Sequence, residues 1–216
     1  MGDPIEVWLS KLLCLEASLA NNTVNNAPPP KKCELFYINR DTLFSYHSAS
    51  ESFLQKLMGL FVSSHYKNSP NDLQLLSDAP AHQIFVLTPP ITDSQKSLPP
   101  ILAVIQVALE GKINRTTIQK TEVSGVRPDG NLIPWNIRQQ FQDAKFPELS
   151  GARIVRIASH PDFQSQGYGS HALELLTNYY SGVFNAGVDN MNEEDEMVSD
   201  GEMVPLEEEI MLRCMV

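Results

Sequence analysis

An α/β chain of the α+β kind, with a central sheet and flanking helices, is the fold class these 216 residues predict. Three observations carry it. Apolar runs of strand length stand at 33–38, 83–88, 101–109 and 153–159. Segments of helical spacing lie between and after them. The last run passes through a proline-marked turn and a glycine-bearing corner into an amphipathic helix, a strand-to-helix junction.

Composition sets the outer limits. A chain of this length, 42% apolar, can bury a real core as one large domain or two small ones. It has no apolar run long enough to span a membrane, and no basic start followed by an apolar stretch. Met1 is followed at once by Gly-Asp-Pro, which reads as the start of a fragment or of a short gene model. Cys14, Cys33 and Cys214 show neither metal-ligand spacing nor a disulfide framework, and we read them as reduced intracellular thiols. The net charge of -10 is concentrated near the C-terminus: ten carboxylates and no Lys or Arg lie within 189–209. Up to residue 182 the chain has sixteen acidic and fifteen basic side chains, so the body is close to neutral. No basic patch with interleaved aromatics marks it as a nucleic-acid binder.

In chain order, Asp3-Pro4-Ile5-Glu6 is a helix start: an N-cap, a proline at the first position and a glutamate three after the cap. Ile5, Trp8, Leu9, Leu12, Leu13 and Leu19 give that helix an apolar stripe. Residues 21–32, ending in Pro28-Pro29-Pro30, form a linker, so 1–32 reads as a connector helix and linker. Residues 33–38 (CELFYI) are a strand that Asn39-Arg40-Asp41 ends. Ser48 to Glu51 match a capping box ahead of Phe53, Leu54, Leu57, Met58 and Phe61, a helix expected to pack on the sheet. Residues 64–82 are polar, with a short helix around 72–76. His65 and Lys67 there are candidates for contact with a substrate, since loops on a rigid scaffold often carry binding groups. Strands follow at 83–88 and 101–109, the second long enough to be central, with prolines bounding the loop between them. Residues 112–130 form an excursion with a short helix near 115–120. Trp135 covers the core edge, and 137–141 form one or two helical turns. The strand at 153–159 leads to the corner and to a helix over 169–181, with Gly182 as its C-cap.

The corner is Gln164, Ser165, Gln166, Gly167, Tyr168, Gly169 and Ser170. Glycines let the chain turn where a side chain would clash, and the first helical turn leaves N–H groups without intrahelical partners. Together with the positive end of the helix they make a phosphate cradle; the bland alternative is a tight corner that binds nothing. It is neither a dinucleotide fingerprint nor a P-loop, because the third glycine and the Gly-Lys-Ser/Thr ending are absent.

Gln-x-x-Gly-x-Gly after a strand and opening an apolar helix resembles the acyl-coenzyme A pyrophosphate loop of GCN5-related N-acetyltransferases (GNAT). The string 153–157 with HPDFQSQGYGSHALELL resembles one branch, the RNA cytidine acetyltransferases that modify rRNA and tRNA. CELFYINRDTLFSYHSASE, SHYKNSPNDLQLLSDAPAH, ILAVIQVALEG and NLIPWNIRQQF carry the same likeness, over roughly the first 182 residues. The resemblance implies a mixed central sheet with flanking helices and a partial GNAT domain over 33–182, while the acidic, mostly non-periodic 183–216 departs from the family pattern and reads as a disordered tail. The C-terminal half of that fold would then be missing from the chain. It implies acetyl-CoA as donor and the N4 amine of cytidine as acceptor, with Gln164 to Ser170 on the pyrophosphate and Ile157, Ala158 and Ser159 beside the pantetheine arm. It also implies RNA as partner, an RNA adaptor protein, a homodimer, a nuclear and nucleolar location, and ATP use by a full-length enzyme. No Walker motif for ATP stands in this chain.

Acetyl transfer to an amine needs the thioester held beside the acceptor, developing charge on its oxygen stabilised, and a proton removed. Candidate bases are His65, His82 and His160, with Asp162 and Glu110 as carboxylate options. His160, just before Pro161, equally reads as a brace for the turn. No cysteine has a basic partner at a readable spacing, which argues against an acyl-enzyme. The His-x-Glu and Pro-Cys-x-x-Cys elements of zinc deaminases are absent. Two other readings stand beside the RNA enzyme: an acetyltransferase of the same fold acting on proteins or small amines, and a non-catalytic interaction fragment. Weak or absent catalysis is expected of the isolated chain, with at most residual acetyl-CoA binding.

Overall fold

The computed structural model describes residues 3–15, 17, 24, 27–64, 69–91, 98–126 and 128–182. Residues 183–216, where the acidic tail is expected, lie outside them, as does the stretch holding His65 and Lys67.

Four strands form one antiparallel meander in the order β1 (Glu34–Ile38), β2 (His82–Thr88), β3 (Ala103–Gly111) and β4 (Ser150–Ser159). All four described strands pair antiparallel, and β4 pairs only with β3, at one edge. The alternation of side chains along each strand sorts the core into two layers. One sheet face presents Phe36, Ile84, Val86, Val104 and Ala158. It is covered by Leu57, Leu60 and Phe61 of α3 (Ser48–Ser64) and by Leu73 and Leu76 of α4 (Pro70–Asp78). The other presents Phe85, Leu87, Ile105, Val107 and Ile157, covered by Tyr168, Ala172 and Leu176 of α7 (Tyr168–Tyr180). β3 is buried on both faces, as expected of a central strand. The predicted α+β class holds, with helices on both sides of the sheet.

Element limits shift where local pattern was weak. Asn39 ends β1 and caps α2 (Arg40–Leu43), its side chain accepting the Thr42 N–H at 3.1 Å. Within the excursion, α5 (Arg115–Ser124) runs past 120 and stops at Gly125, whose φ of +66° supplies the left-handed ending. α6 (Leu132–Phe141) begins five residues before the predicted helical turns. Pro134 sits in its first turn, where a missing N–H costs no helical bond. Trp135 is buried, as predicted.

The N-terminal helix α1 (Pro4–Leu12) has the expected cap, with Asp3 accepting the Ile5 N–H at 3.0 Å. Its stripe is not covered by the described residues: Trp8 is 59% exposed, and Ile5, Leu9 and Leu12 are exposed with it. What fastens the end of α1 is Gln55 of α3, whose Nε2 donates to the Lys11 carbonyl at 2.6 Å.

Candidate functional site: the corner between β4 and α7

β4 carries one extra residue. Gln106 faces Arg156 and Val107 faces Ile154, so Val155 is unmatched and forms a β-bulge. Bulges twist a strand and interrupt its pairing, and they concentrate beside active sites. Beyond the bulge lie Ile157, partly buried under α7, Ala158, buried on the opposite face, and Ser159, the last strand residue. Since only β3 pairs with β4 among the described residues, alternate peptide groups of this segment point away from the sheet.

The strand then turns sharply. The His160 N–H donates to the Leu102 carbonyl at 2.8 Å, and its Nδ1 accepts the Asp162 N–H at 3.4 Å. With 3% of its surface exposed, His160 braces the short 3-10 turn Pro161–Phe163. Phe163 is wedged between aromatic neighbours, with ring centres 5.5 Å from His160 and 5.7 Å from Tyr168. The Gln166 side chain donates to the Asp162 carbonyl at 3.2 Å, folding the loop on itself.

Backbone hand changes twice in the next residues. Ser165 has φ +62° and Gly167 φ +92°, while Gln166 between them does not share the positive φ. Such alternation turns successive N–H groups toward one concavity, the usual seat of an anion. Gly167 is the N-cap of α7, and the first intrahelical bond runs from the His171 N–H to the Gly167 carbonyl at 3.0 Å. The N–H groups of Tyr168, Gly169 and Ser170 therefore have no acceptor one turn back. A Cβ on Gly169 would stand 3.0 Å from Ser159 Oγ, so this glycine lets the helix start lie close against the strand end. Tyr168 is turned inward, 4% exposed, its hydroxyl donating to the Pro28 carbonyl at 2.8 Å. Burial, and then Cys33, raise its pKa.

The predicted site residues thus divide. Ile157, Ala158, Ser159, Gln164, Ser165, Gln166, Gly167, Tyr168, Gly169 and Ser170 come together at one corner, with His160 beneath it. His65 lies outside the described residues. His82 stands apart, near the far end of the sheet, its Nδ1 2.9 Å from Gln106 Nε2. Burial pushes the Cys14 thiol up to about 11 and raises that of Cys33, so neither is a ready thiolate at neutral pH.

Three contacts join β4 and α7 to residues far away in the sequence. Arg156, next to the bulge, binds Asp72 of α4 at 2.6 Å, and Asp72 also accepts the Ser69 N–H at 2.8 Å. Arg153 binds Glu110 at 2.6 Å, and Glu110 also accepts the Ile133 N–H at 2.9 Å. The third is the Tyr168–Pro28 bond. The two arginines, which alternate with apolar residues in the sequence, are thus committed to carboxylates on the face away from α7. Burial alone would raise both carboxyls. For Glu110, the Arg153 hydrogen bond and charge and the N–H groups of Ile133 and Leu132 outweigh it. For Asp72, Ser69 and then Arg156 do the same.

These shifts predict the acid response. Burial, then the Arg153 charge, hold the His82 pKa below its ordinary 6.5, against the pull of Glu110. As pH falls through 6.5 the unfolded chain takes up that proton first, so stability drops. Glu110 and Asp72 stay ionised in the fold below their ordinary 4.5 and 3.8. Their contributions are present above those values and are lost as pH falls through the lower folded ones. Urea midpoints should therefore fall in two stages, and His82→Gln should shrink the decline between pH 7 and 5. An unchanged decline in that variant would rule out His82 as its source.

A family model described as GNAT acetyltransferase 2 matches residues 56–211. The chain belongs to that family. Three relatives with the name RNA cytidine acetyltransferase show how near the likeness is. The Dictyostelium discoideum protein is 57% identical over 194 residues, covering 89% of this chain and 18% of its own length. The Homo sapiens protein is 58% identical over 183 residues, with coverage of 85% and 18%. The Saccharomyces cerevisiae protein is 52% identical over 222 residues, with coverage of 98% and 21%. The chain thus spans about a fifth of the length of these relatives. The bulged strand, braced turn and glycine corner all fall inside the segment that the GNAT family model matches.

Proposed function

We propose that this chain supplies the coenzyme-holding part of an RNA cytidine acetyltransferase, which moves an acetyl group from acetyl-CoA to N4 of cytidine in rRNA and tRNA. The observation that carries the reading is the corner itself: left-handed Ser165 and Gly167, then three N–H groups at the start of α7 with no acceptor one turn back. In this reading the segment 164–170 holds the pyrophosphate through main-chain N–H groups other than that of Gln164, which donates to the Pro161 carbonyl at 3.3 Å, and the helix dipole adds to them. Ile157, Ala158 and Ser159 offer peptide groups on the outer edge of β4 to the amides of the pantetheine arm. When bound, the coenzyme supplies the acetyl thioester.

Cytidine N4 is a weak nucleophile, its lone pair being delocalised into the ring, so positioning and proton removal matter more than for an alkyl amine. His160 and His65 are the proposed proton acceptors. RNA recognition belongs to the same proposal as a property of a full-length enzyme, and the similarity to the relatives supports it; an adaptor, homodimerisation, ATP use and nuclear, nucleolar residence are proposed with it on the family resemblance of the sequence alone.

Calorimetry with acetyl-CoA tests the coenzyme site. The wild-type chain is expected to bind, and Gly167→Ala to bind at least about tenfold more weakly. Any L side chain at φ +92° costs roughly 1–2 kcal/mol, and relief of that strain would unmake the cradle. Absence of heat with the wild type at high ligand concentration would overturn the site. For the acceptor, RNA modified by a full-length enzyme carrying this segment should contain N4-acetylcytidine, and its Gly169 variant should leave that base unmodified. Acetylated protein or small amine with unmodified RNA would instead favour another acceptor.

A further inference from the structure

We propose that the turn Pro30–Lys32 is the cationic rim of the coenzyme site, with Lys31 and Lys32 meeting the phosphate monoester on the ribose of coenzyme A. The inference rests on the coenzyme reading above.

The placement follows from the packing of the linker. The Pro28 carbonyl accepts the hydroxyl of buried Tyr168, the first residue of α7. Pro30 Cγ lies 3.8 Å from where a Cβ on Gly167 would be. On the other side Cys33 is buried, its thiol facing the Pro28 and Pro29 carbonyls at 3.8 and 3.7 Å. The turn closes with the Lys32 and Cys33 N–H groups donating to the Pro29 and Pro30 carbonyls, each at 2.9 Å. A proline-stiffened segment is thereby fixed beside the glycine corner, although 137 residues separate Pro30 from Gly167 in the chain.

The chemistry follows from charge. Lys31 and Lys32 are exposed and adjacent in the turn, and like the other described lysines they have no ion-pair partner among the described residues. Two adjacent ammonium groups repel, and an anion between them relieves the repulsion. The nearest carboxylate along the chain is Glu34. Main-chain N–H groups suit the bridging pyrophosphate. A terminal monoester, with about −1.5 to −2 charge at neutral pH, suits mobile cations on four-carbon stems.

The test compares coenzyme A with 3′-dephospho-coenzyme A by calorimetry on the 216-residue chain and on Lys31→Gln/Lys32→Gln. The wild type is expected to prefer coenzyme A by about fivefold at low salt, a preference that fades as ionic strength rises. The double variant should bind both ligands alike, with its dephospho affinity within about twofold of wild type. An undiminished preference in the variant overturns the inference while leaving the coenzyme site standing, as does a wild type without preference. Failure of the wild type to bind either ligand removes the coenzyme reading and this inference with it. Loss of RNA retention in the variant, with the coenzyme preference intact, assigns the lysines to an RNA backbone and likewise overturns it.

Discussion

Glu110→Ala is expected to destabilise the chain by about 3 kcal/mol, read as a lower urea midpoint at an unchanged slope. The Glu110 side chain is 5% exposed and sits between two elements that meet nowhere in sequence. One oxygen takes the Arg153 guanidinium of β4 at 2.6 Å, the other the Ile133 N–H at the start of α6 at 2.9 Å. Truncation leaves a partly covered guanidinium and a helix-start N–H without their acceptor, and desolvated donors are costly. Arg153 keeps 28% of its side chain exposed and can regain some water, which limits the loss. Glu110→Gln retains an acceptor and should lose roughly half as much. Arg153→Met added to Glu110→Ala should recover part of the loss, since the stranded charge goes with it. If Glu110→Ala stays within about 0.5 kcal/mol of wild type, the carboxylate does not hold α6 to the sheet.

The contrast between Glu110 and the corner shows what a sequence can disclose. Gly167, Gly169 and the helix after them were legible because their signals are local: a change of apolar spacing, glycines at a turn, a polar junction. β1, β2 and β3 were legible for the same reason, as short apolar runs set off by prolines and polar turns. The start of β4 was not. Ser150, Gly151 and Ala152 have no strand character, and they are drawn into the ladder by pairing with Gly111, Glu110 and Leu109. The Val155 bulge was equally hidden, because one unmatched residue alters register without altering composition. Asp72–Arg156, Glu110–Arg153 and Tyr168–Pro28 join residues 84, 43 and 140 apart, and no local pattern encodes such pairs. For Asp72 a weak sign existed. It stands three residues after the N-cap Ser69, with Pro70 opening the helix, which ties its carboxylate to the Ser69 N–H and so fixes it for Arg156.

The register of β4 also gives Gly111→Ala its expected severity, a loss on the order of 4 kcal/mol. Two costs coincide there. The φ of +94° is one that an L side chain rarely adopts, and a Cβ would lie 1.8 Å from the Leu149 carbonyl oxygen. The clash is with backbone, so no rotamer change relieves it. Leu149 has to retreat, and the Lys112 N–H bond to that same carbonyl, 2.9 Å long, is lost with it. The Gly111 N–H bond to Asn131 Oδ1, at 2.7 Å, is the next to be strained, which loosens the entry to α6. Gly125→Ala is the control. Its φ is +66°, but nothing lies within 4 Å of the added Cβ, so only the left-handed strain of about 1 kcal/mol applies. A Gly111 variant as stable as the Gly125 variant would show that the turn relaxes freely. A much larger loss at Gly111 would show that close approach of 149 to 111 sets the start of β4, and through it the register that places the Val155 bulge and the glycine corner.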